Sequence, residues 1–202
     1  MSLFNYANLI DPILKDVRVC VSELSEIKPG EKIIDVCCGT GDQAFYYAAK
    51  GAIATGIDRN FSIPGICEKN REKPGFNSVN FIKASATELP FGDGYFDCAS
   101  ISLGLHEMVR NQRQSVVSEV KRVVKNAGIL IFADFKVPLP KNQIGYLIRA
   151  IEFAVGVNNF RSFRDYLDQG GLEQILKENF LYSQSETILK LNCFQIVKSI
   201  NL

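Results

Sequence analysis

Three carboxylates bracket a glycine turn in this 202-residue chain. Asp35 precedes Gly39-Thr40-Gly41, Asp42 follows it directly, and Asp58 comes shortly after. The turn succeeds a short apolar run, KIIDVCC (32–38), and precedes a helical pattern, QAFYYAAK. Glycines placed there let a ligand approach the backbone closely. Extended to Ala44, the spacing satisfies G-x-G-x-x-G/A, the dinucleotide pattern; a tight turn with no ligand is the plain alternative. Charge separates the ligands. A pyrophosphate resting on the helix N-terminus would be repelled by Asp42. S-adenosylmethionine, with its sulfonium and ammonium groups, would be favoured by Asp35 and Asp42, so it is expected here rather than NAD. Asp58 ends the next apolar run, AIATGID (52–58), where it can accept hydrogen bonds from ribose hydroxyls or cap the following helix.

His106 is the only histidine. An ordinary imidazole titrates near pH 6.5, so His106 is the candidate general base at neutral pH, with a structural histidine at a helix start as the alternative. Asp134 is the second candidate catalytic residue, facing the site or else capping a helix. The six cysteines form no C-x-x-C pair, and one histidine cannot complete a structural zinc site, so no metal is expected. They read as buried thiols of a cytoplasmic protein rather than a disulfide framework.

The elements that must position these groups follow from periodicity. Asp11 and Pro12 read as N-cap and first residue of a helix carrying Ile13, Leu14, Val17, Val21 and Leu24 on one face. Apolar runs at 32–38, 52–58, 79–84, 95–103 and 128–135 alternate with helical patterns. One of these, near 110–125, ends at Asn126-Ala127-Gly128, where Asn126 is expected to take the left-handed turn conformation. Helical patterns at 142–155 and 162–178 follow, then two strand-like segments at about 180–188 and 191–200, too close for a crossover and therefore a hairpin. Strands apolar along their whole length and alternating with helices mean an α/β fold, a doubly wound parallel sheet with its ligand outside the strand carboxyl ends. The length suits one domain, 1–202. Twenty-three Lys+Arg against 22 Asp+Glu give no electrostatic reason to expect nucleic acid, and no apolar run approaches a membrane span.

IIDVCCGTGD resembles the first motif of class I S-adenosylmethionine-dependent methyltransferases, and GID (56–58) the second. KASATELPFGDGYFDCASISLGLHEM (83–108) resembles the adenine-binding turn, the Leu-Pro-Phe segment and the fourth strand of that superfamily. EVKRVVKNAGILIFADF (119–135) resembles its fifth strand and the helix before it. SISLGL and the Asp134-Phe135 pair are most similar to the ubiquinone/menaquinone-biosynthesis type. The resemblance implies a Rossmann-like sheet of seven strands in the order 3-2-1-4-5-7-6 with strand 7 antiparallel. It implies S-adenosylmethionine held by Asp35, Cys37, Gly39, Gly41 and Asp42, with Asp58 on the ribose. Arg59, Ser85, Ala86, Thr87, Ser102 and Leu103 line the remainder. It also implies an N-terminal helical lid (1–28) containing Tyr6, a helical insertion (140–178) over the acceptor, and methyl transfer to a small molecule. Several departures stand out: Cys37 replaces the first loop glycine, Arg59 an apolar residue, Ser85 an aspartate, and Pro64-Gly65 should distort the second helix. Arg161, Arg164 and Tyr166 fall in the insertion, either as a solvated face or as charge for an acidic acceptor. A non-catalytic protein that binds S-adenosylmethionine or its demethylated product is the alternative function. Oligomeric state is open, with a homodimer admitted.

Overall fold

The computed structural model describes residues 3–59 and 77–202, with side chains from residue 14 onward. The expected second helix with Pro64-Gly65, together with Cys67, lies outside these residues, as does the side chain of Tyr6. Seven strands form one sheet: β1 (Lys32–Val36), β2 (Ile53–Asp58), β3 (Val79–Lys83), β4 (Phe96–Ser102), β5 (Val124–Phe135), β6 (Ser183–Leu189) and β7 (Phe194–Ile200). Their spatial order is β3-β2-β1-β4-β5-β7-β6. The first five strands pair parallel, with one register shift between β4 and β5, while β7 runs antiparallel to both β5 and β6.

The central strands are mostly apolar because both faces are covered. Ile33, Ile34 and Val36 of β1, Ala99 of β4 and Leu130 and Phe132 of β5 are all fully buried. The described residues hold six helices: α1 (Leu3–Leu24), α2 (Asp42–Ala48), α3 (Arg110–Val123), α4 (Gln143–Val155), α5 (Val157–Asp168) and α6 (Gly171–Glu178). Helix α1 does not begin at Asp11-Pro12 as expected but at Leu3. The i, i+3, i+4 spacing continues upstream in the sequence at Ile10 and Tyr6, so Pro12 removes one main-chain donor from the helix instead of setting its start. Val17 and Val21 bury the apolar face of α1 in the core, against α2, β5 and β7. Of the five described cysteines, all free thiols, only Cys98 and Cys193 are buried; Cys20, Cys37 and Cys38 are half-buried.

Helix α3 passes into β5 without a loop, and the turn expected at 126–128 is a bulge inside the strand. Here Ala127, not Asn126, is left-handed, with φ 61°. The main chain of Ala127 and Gly128 is paired to Asn201, whose side chain also donates to the carbonyls of Lys121 and Val124 and so closes the end of α3. Register with β7 thus fixes which residue bends. A Cβ in that conformation costs about 1–2 kcal/mol, part of which glycine returns through its freer unfolded chain. Ala127→Gly is therefore expected to stabilise the fold by about 0.5–1 kcal/mol, read as a small rise in Tm.

Candidate active site

The loop after β1 is held open by three left-handed residues: Cys37 (φ 60°), Gly39 (φ 54°) and Gly41 (φ 75°). Cys37 is the costly one, and it explains why a glycine would suit that position. Its side chain packs against Gly104, where an added Cβ would sit 2.8 Å from that of Cys37. Desolvation of the thiol, with Asp58 adding its charge, raises its pKa, which makes Cys37 an inert packing group. Gly39 faces open space on its side-chain side, and its N–H donates to Asp58 Oδ2 at 3.1 Å. The loop therefore leaves room for a ligand and carries the Asp58 carboxylate beside it. Asp42 begins α2, accepts from Thr40 Oγ1 at 2.6 Å and lies 3.4 Å from the Arg18 guanidinium. Arg18 offsets part of the negative charge that the spacing alone implied.

Asp35 sits under the loop, fully enclosed in β1 between Gly56 and Ser100 on the neighbouring strands. Oδ1 accepts from Ser100 Oγ at 2.8 Å, but Oδ2 has no partner. Burial pushes its pKa up to about 7, against the opposing effects of the Ser100 bond and Arg18. A proton is thus held at low pH and lost near neutrality, at a cost to the folded state that grows between about pH 4 and 7. Asp35→Asn is expected to stabilise the ligand-free protein by up to about 3–4 kcal/mol at pH 8 and not at all at pH 4, less whatever the unpaired amide costs. Urea titrations at the two pH values measure it. A cation brought to Oδ2 would reverse the balance, and an unpartnered buried carboxylate oxygen fits the ammonium of S-adenosylmethionine.

The remaining cofactor candidates lie along the same edge. Arg59 is exposed at the end of β2. Ser85 is exposed, and its Oγ is taken up within its own turn, 2.8 Å from Thr87 Oγ1 and 3.3 Å from the Thr87 N–H; Ala86 lies between them, half-buried. Ser85 meets an adenine amino group only by sharing that hydroxyl. Ser102 closes β4 with a buried, unpartnered Oγ, and Leu103 after it turns left-handed (φ 55°) while its N–H donates to Ala133 O. Unpartnered polar atoms therefore mark the carboxyl ends of β1 and β4, where a doubly wound sheet holds its ligand.

His106 lies just beyond, in a 3-10 turn (Leu105–Glu107), and is buried. Its Nδ1 meets Asp134 Oδ1 at 2.6 Å, and its main-chain N–H donates to Asp134 Oδ2 at 3.2 Å. Asp134 also accepts from the Phe135 N–H, so this carboxylate is fully occupied in holding the imidazole and does not itself face an acceptor. On the other side, Nε2 is unpartnered, 3.6 Å from Oε1 of buried Glu152 on α4. Burial alone would depress the imidazole pKa, but Asp134 and Glu152 outweigh it and raise it well above the ordinary value. In place of an unperturbed imidazole, His106 sits between two carboxylates that favour its protonated form.

Glu152 and Arg113 are the residues that the sequence reading missed. Arg113 is buried and reaches across to the insertion: Nε donates to Leu105 O (3.0 Å), Nη1 to Asp165 (2.9 Å) and Nη2 to Ser162 O (2.9 Å). Both are charges inside apolar helix faces, between Val109 and Val116–Val117 for Arg113 and beside Ile148 and Ile151 for Glu152, and that misplacement was the available signal. Tyr166 is no solvated residue: it is fully buried, with its hydroxyl donating to Phe135 O at 2.8 Å. Arg161 and Arg164 are exposed, as expected of a solvated face. Gly170-Gly171 separates α5 from α6, and α5 packs on the turn that carries His106.

The fold is shared with solved methyltransferases. A SAM-dependent methyltransferase from Aquifex aeolicus superposes with a TM-score of 0.72 over 100% of both chains, at 16% identity. Geranyl diphosphate methyltransferase in complex with SAM gives 0.70, covering 93% of this chain and 85% of that one at 12% identity. In sequence, the chain is 35% identical over 138 residues to demethylmenaquinone methyltransferase of Paenarthrobacter aurescens, covering 66% of this chain and 52% of that protein. An uncharacterized methyltransferase of Synechocystis sp. is 38% identical over 112 residues, 55% of this chain and 50% of its own length. The chain thus spans about half the length of these curated relatives. The profile of the ubiE/COQ5 methyltransferase family matches residues 12–153, from α1 through the glycine loop and both candidate catalytic residues into α4. With S-adenosylmethionine as its cofactor, the chain belongs to the ubiE/COQ5 methyltransferase family.

Proposed function

We propose that this chain methylates a ring carbon of a small hydroxylated aromatic acceptor of the quinol type. The observation that supports it is the placement of buried His106, held by Asp134 at Nδ1 with Nε2 unpartnered beside Glu152, two carboxylates that favour its protonated form. When bound, S-adenosylmethionine supplies a methyl group already activated by its sulfonium. The chain's own residues have the acceptor to prepare. A hydroxylated ring becomes nucleophilic at carbon as its O–H proton leaves, and negative charge then gathers on that oxygen. Nε2–H of His106 donates to this oxygen, and the Glu152 carboxylate receives its proton. Once the ring carbon carries the methyl, that carbon releases its own hydrogen to solvent as a proton, the oxygen takes a proton back from Glu152, and the ring is aromatic again. Fixed donors aimed at developing charge in a dry site are an effective means of rate acceleration. Asp58, Gly39 and Asp35 hold the cofactor, and the insertion 140–178 excludes water.

The relatives named demethylmenaquinone methyltransferase favour the same acceptor class. The test is calorimetry with S-adenosylmethionine, followed by turnover with a demethylated naphthoquinol, a simple phenol and an amine, the product located by mass and by its C–methyl proton signal. Transfer to the quinol carbon is expected. Transfer only to the amine would defeat the acceptor reading. Tight cofactor binding with no turnover on any acceptor would favour the non-catalytic binding protein instead.

A further inference from the structure

The corner between α4 and α5 exposes what most of the surface hides. Phe153, Val155 and Val157, grouped around Gly156, are 68%, 43% and 66% exposed, and Tyr146 and Leu147 extend the apolar surface back along α4. Contiguous apolar exposure of this kind marks an interaction surface. The exposed charge around it leans positive. From Lys141 to the end of α5 the sequence holds four cations, Lys141, Arg149, Arg161 and Arg164, and three acids: Glu152 is buried, Asp165 is paired with Arg113, and Asp168 is exposed. Lys141, Arg161 and Arg164 are exposed and form no ion pair among the described residues. In a chain whose net charge is only +1, this is a local concentration.

The corner is also continuous with the candidate site. A row of aromatic rings runs inward from it: Phe153 to half-buried Phe160 at 5.4 Å, Phe160 to buried Phe163 at 6.1 Å, and Phe163 to His106 at 6.2 Å between ring centroids. The exposed apolar tip and the buried imidazole are therefore the two ends of one aromatic seam between the insertion helices.

We propose that this corner docks on an anionic lipid surface, and that the aromatic seam is the route by which a lipophilic acceptor passes from lipid to His106. Apolar side chains at a helical corner, backed by guanidinium and ammonium groups, match the boundary between acyl chains and anionic headgroups. A second copy of the chain fits less well, because a two-fold contact would bring Arg161 and Arg164 of each copy toward those of the other, while of the nearby acids Asp165 is already paired with Arg113 and only Asp168 is left to face them. Docking stands on the surface alone; the route rests on the acceptor class proposed above.

The experiment is flotation of the full chain with vesicles of phosphatidylcholine, alone or mixed with phosphatidylglycerol. Binding to the mixed vesicles is expected, falling with added salt. Val155→Asp/Val157→Asp should abolish it, and Arg161→Gln/Arg164→Gln should weaken it about 10–30-fold. All four positions are exposed, so melting temperature and S-adenosylmethionine affinity should be unchanged, which verifies folding. With a long-tailed acceptor in the vesicles, Val155→Asp/Val157→Asp should lose turnover while keeping it on a short-tailed, water-soluble one. Wild-type chain that floats with neither vesicle, or aspartate variants that float as wild type does, would overturn docking. So would a dimer in solution that the aspartate variants dissociate, since a second copy would then cover the corner. Flotation with no methylation of any quinol would defeat the acceptor reading and leave docking in place. Equal loss on both acceptors would overturn the route.

Discussion

Arg113→Met should destabilise the fold by about 3–5 kcal/mol, the largest effect of any single substitution outside the apolar core. The guanidinium has no solvent to fall back on, and it serves three partners on two elements: the Leu105 carbonyl in the His106 turn, and the Ser162 carbonyl and Asp165 on α5. Methionine fills similar volume but leaves two enclosed carbonyls without donors, each costing about 1–3 kcal/mol. The Asp165 carboxylate is partly exposed and can rehydrate, so its share is small. Since Arg113 ties the insertion to the turn, the damage should reach function as well. Urea denaturation gives the energy. A loss below about 1 kcal/mol would mean that the insertion is fastened to the domain by its apolar contacts alone.

The second large effect falls on turnover. His106→Gln should lower kcat by about 10²–10⁴-fold with S-adenosylmethionine affinity nearly unchanged, the usual range for a group that acts on the acceptor's proton or the charge it leaves. The pH dependence distinguishes a protonated His106 from an ordinary base. In the wild type, turnover should fall on the alkaline side as Nε2 loses the charge that Asp134 and Glu152 maintain; the variant should lack that limb. Stability carries the same sign. The imidazole pKa is raised on folding, so its contribution is complete below the unfolded value near 6.5 and is lost as pH rises through the folded value. The stability difference between wild type and His106→Gln should therefore narrow above neutrality. Turnover that rises through that range in the wild type would identify His106 as a neutral base instead.

Much of this architecture was legible because parallel strands buried on both faces are continuous apolar runs. KIIDV, IATGID and ILIFADF declare themselves, and Gly170-Gly171 marks the break between α5 and α6. The left-handed glycine loop was legible for a related reason, since a turn that must take positive φ restricts residue types locally. What stayed hidden depends on contacts distant in sequence. The protonation of His106 is set by Asp134 on β5 and Glu152 on α4, and no pattern around residue 106 records either. The left-handed residue of the β5 bulge is Ala127 and not Asn126 because pairing with Asn201 fixes the register there. The start of α1 was misplaced because Asp11-Pro12 has the chemistry of a helix beginning without being one.

Strand order has a consequence for how the chain acquires its shape. β5 is the longest of the described strands and its inner half is apolar but for Asp134, yet its second neighbour, β7, is the last strand in the sequence. Until β7 arrives, the β5 edge offers a row of unpaired amides and carbonyls next to a run of large apolar side chains, the kind of edge along which separate molecules join. β6 and β7 are linked by only four residues, Lys190–Cys193, so they can form as a local hairpin and add to β5 as a unit. The interval between the emergence of β5 and the arrival of that hairpin is when a nascent chain is most exposed to aggregation. Substitutions that slow the hairpin should lower the yield of folded protein in the cell well before they alter the stability of the finished molecule.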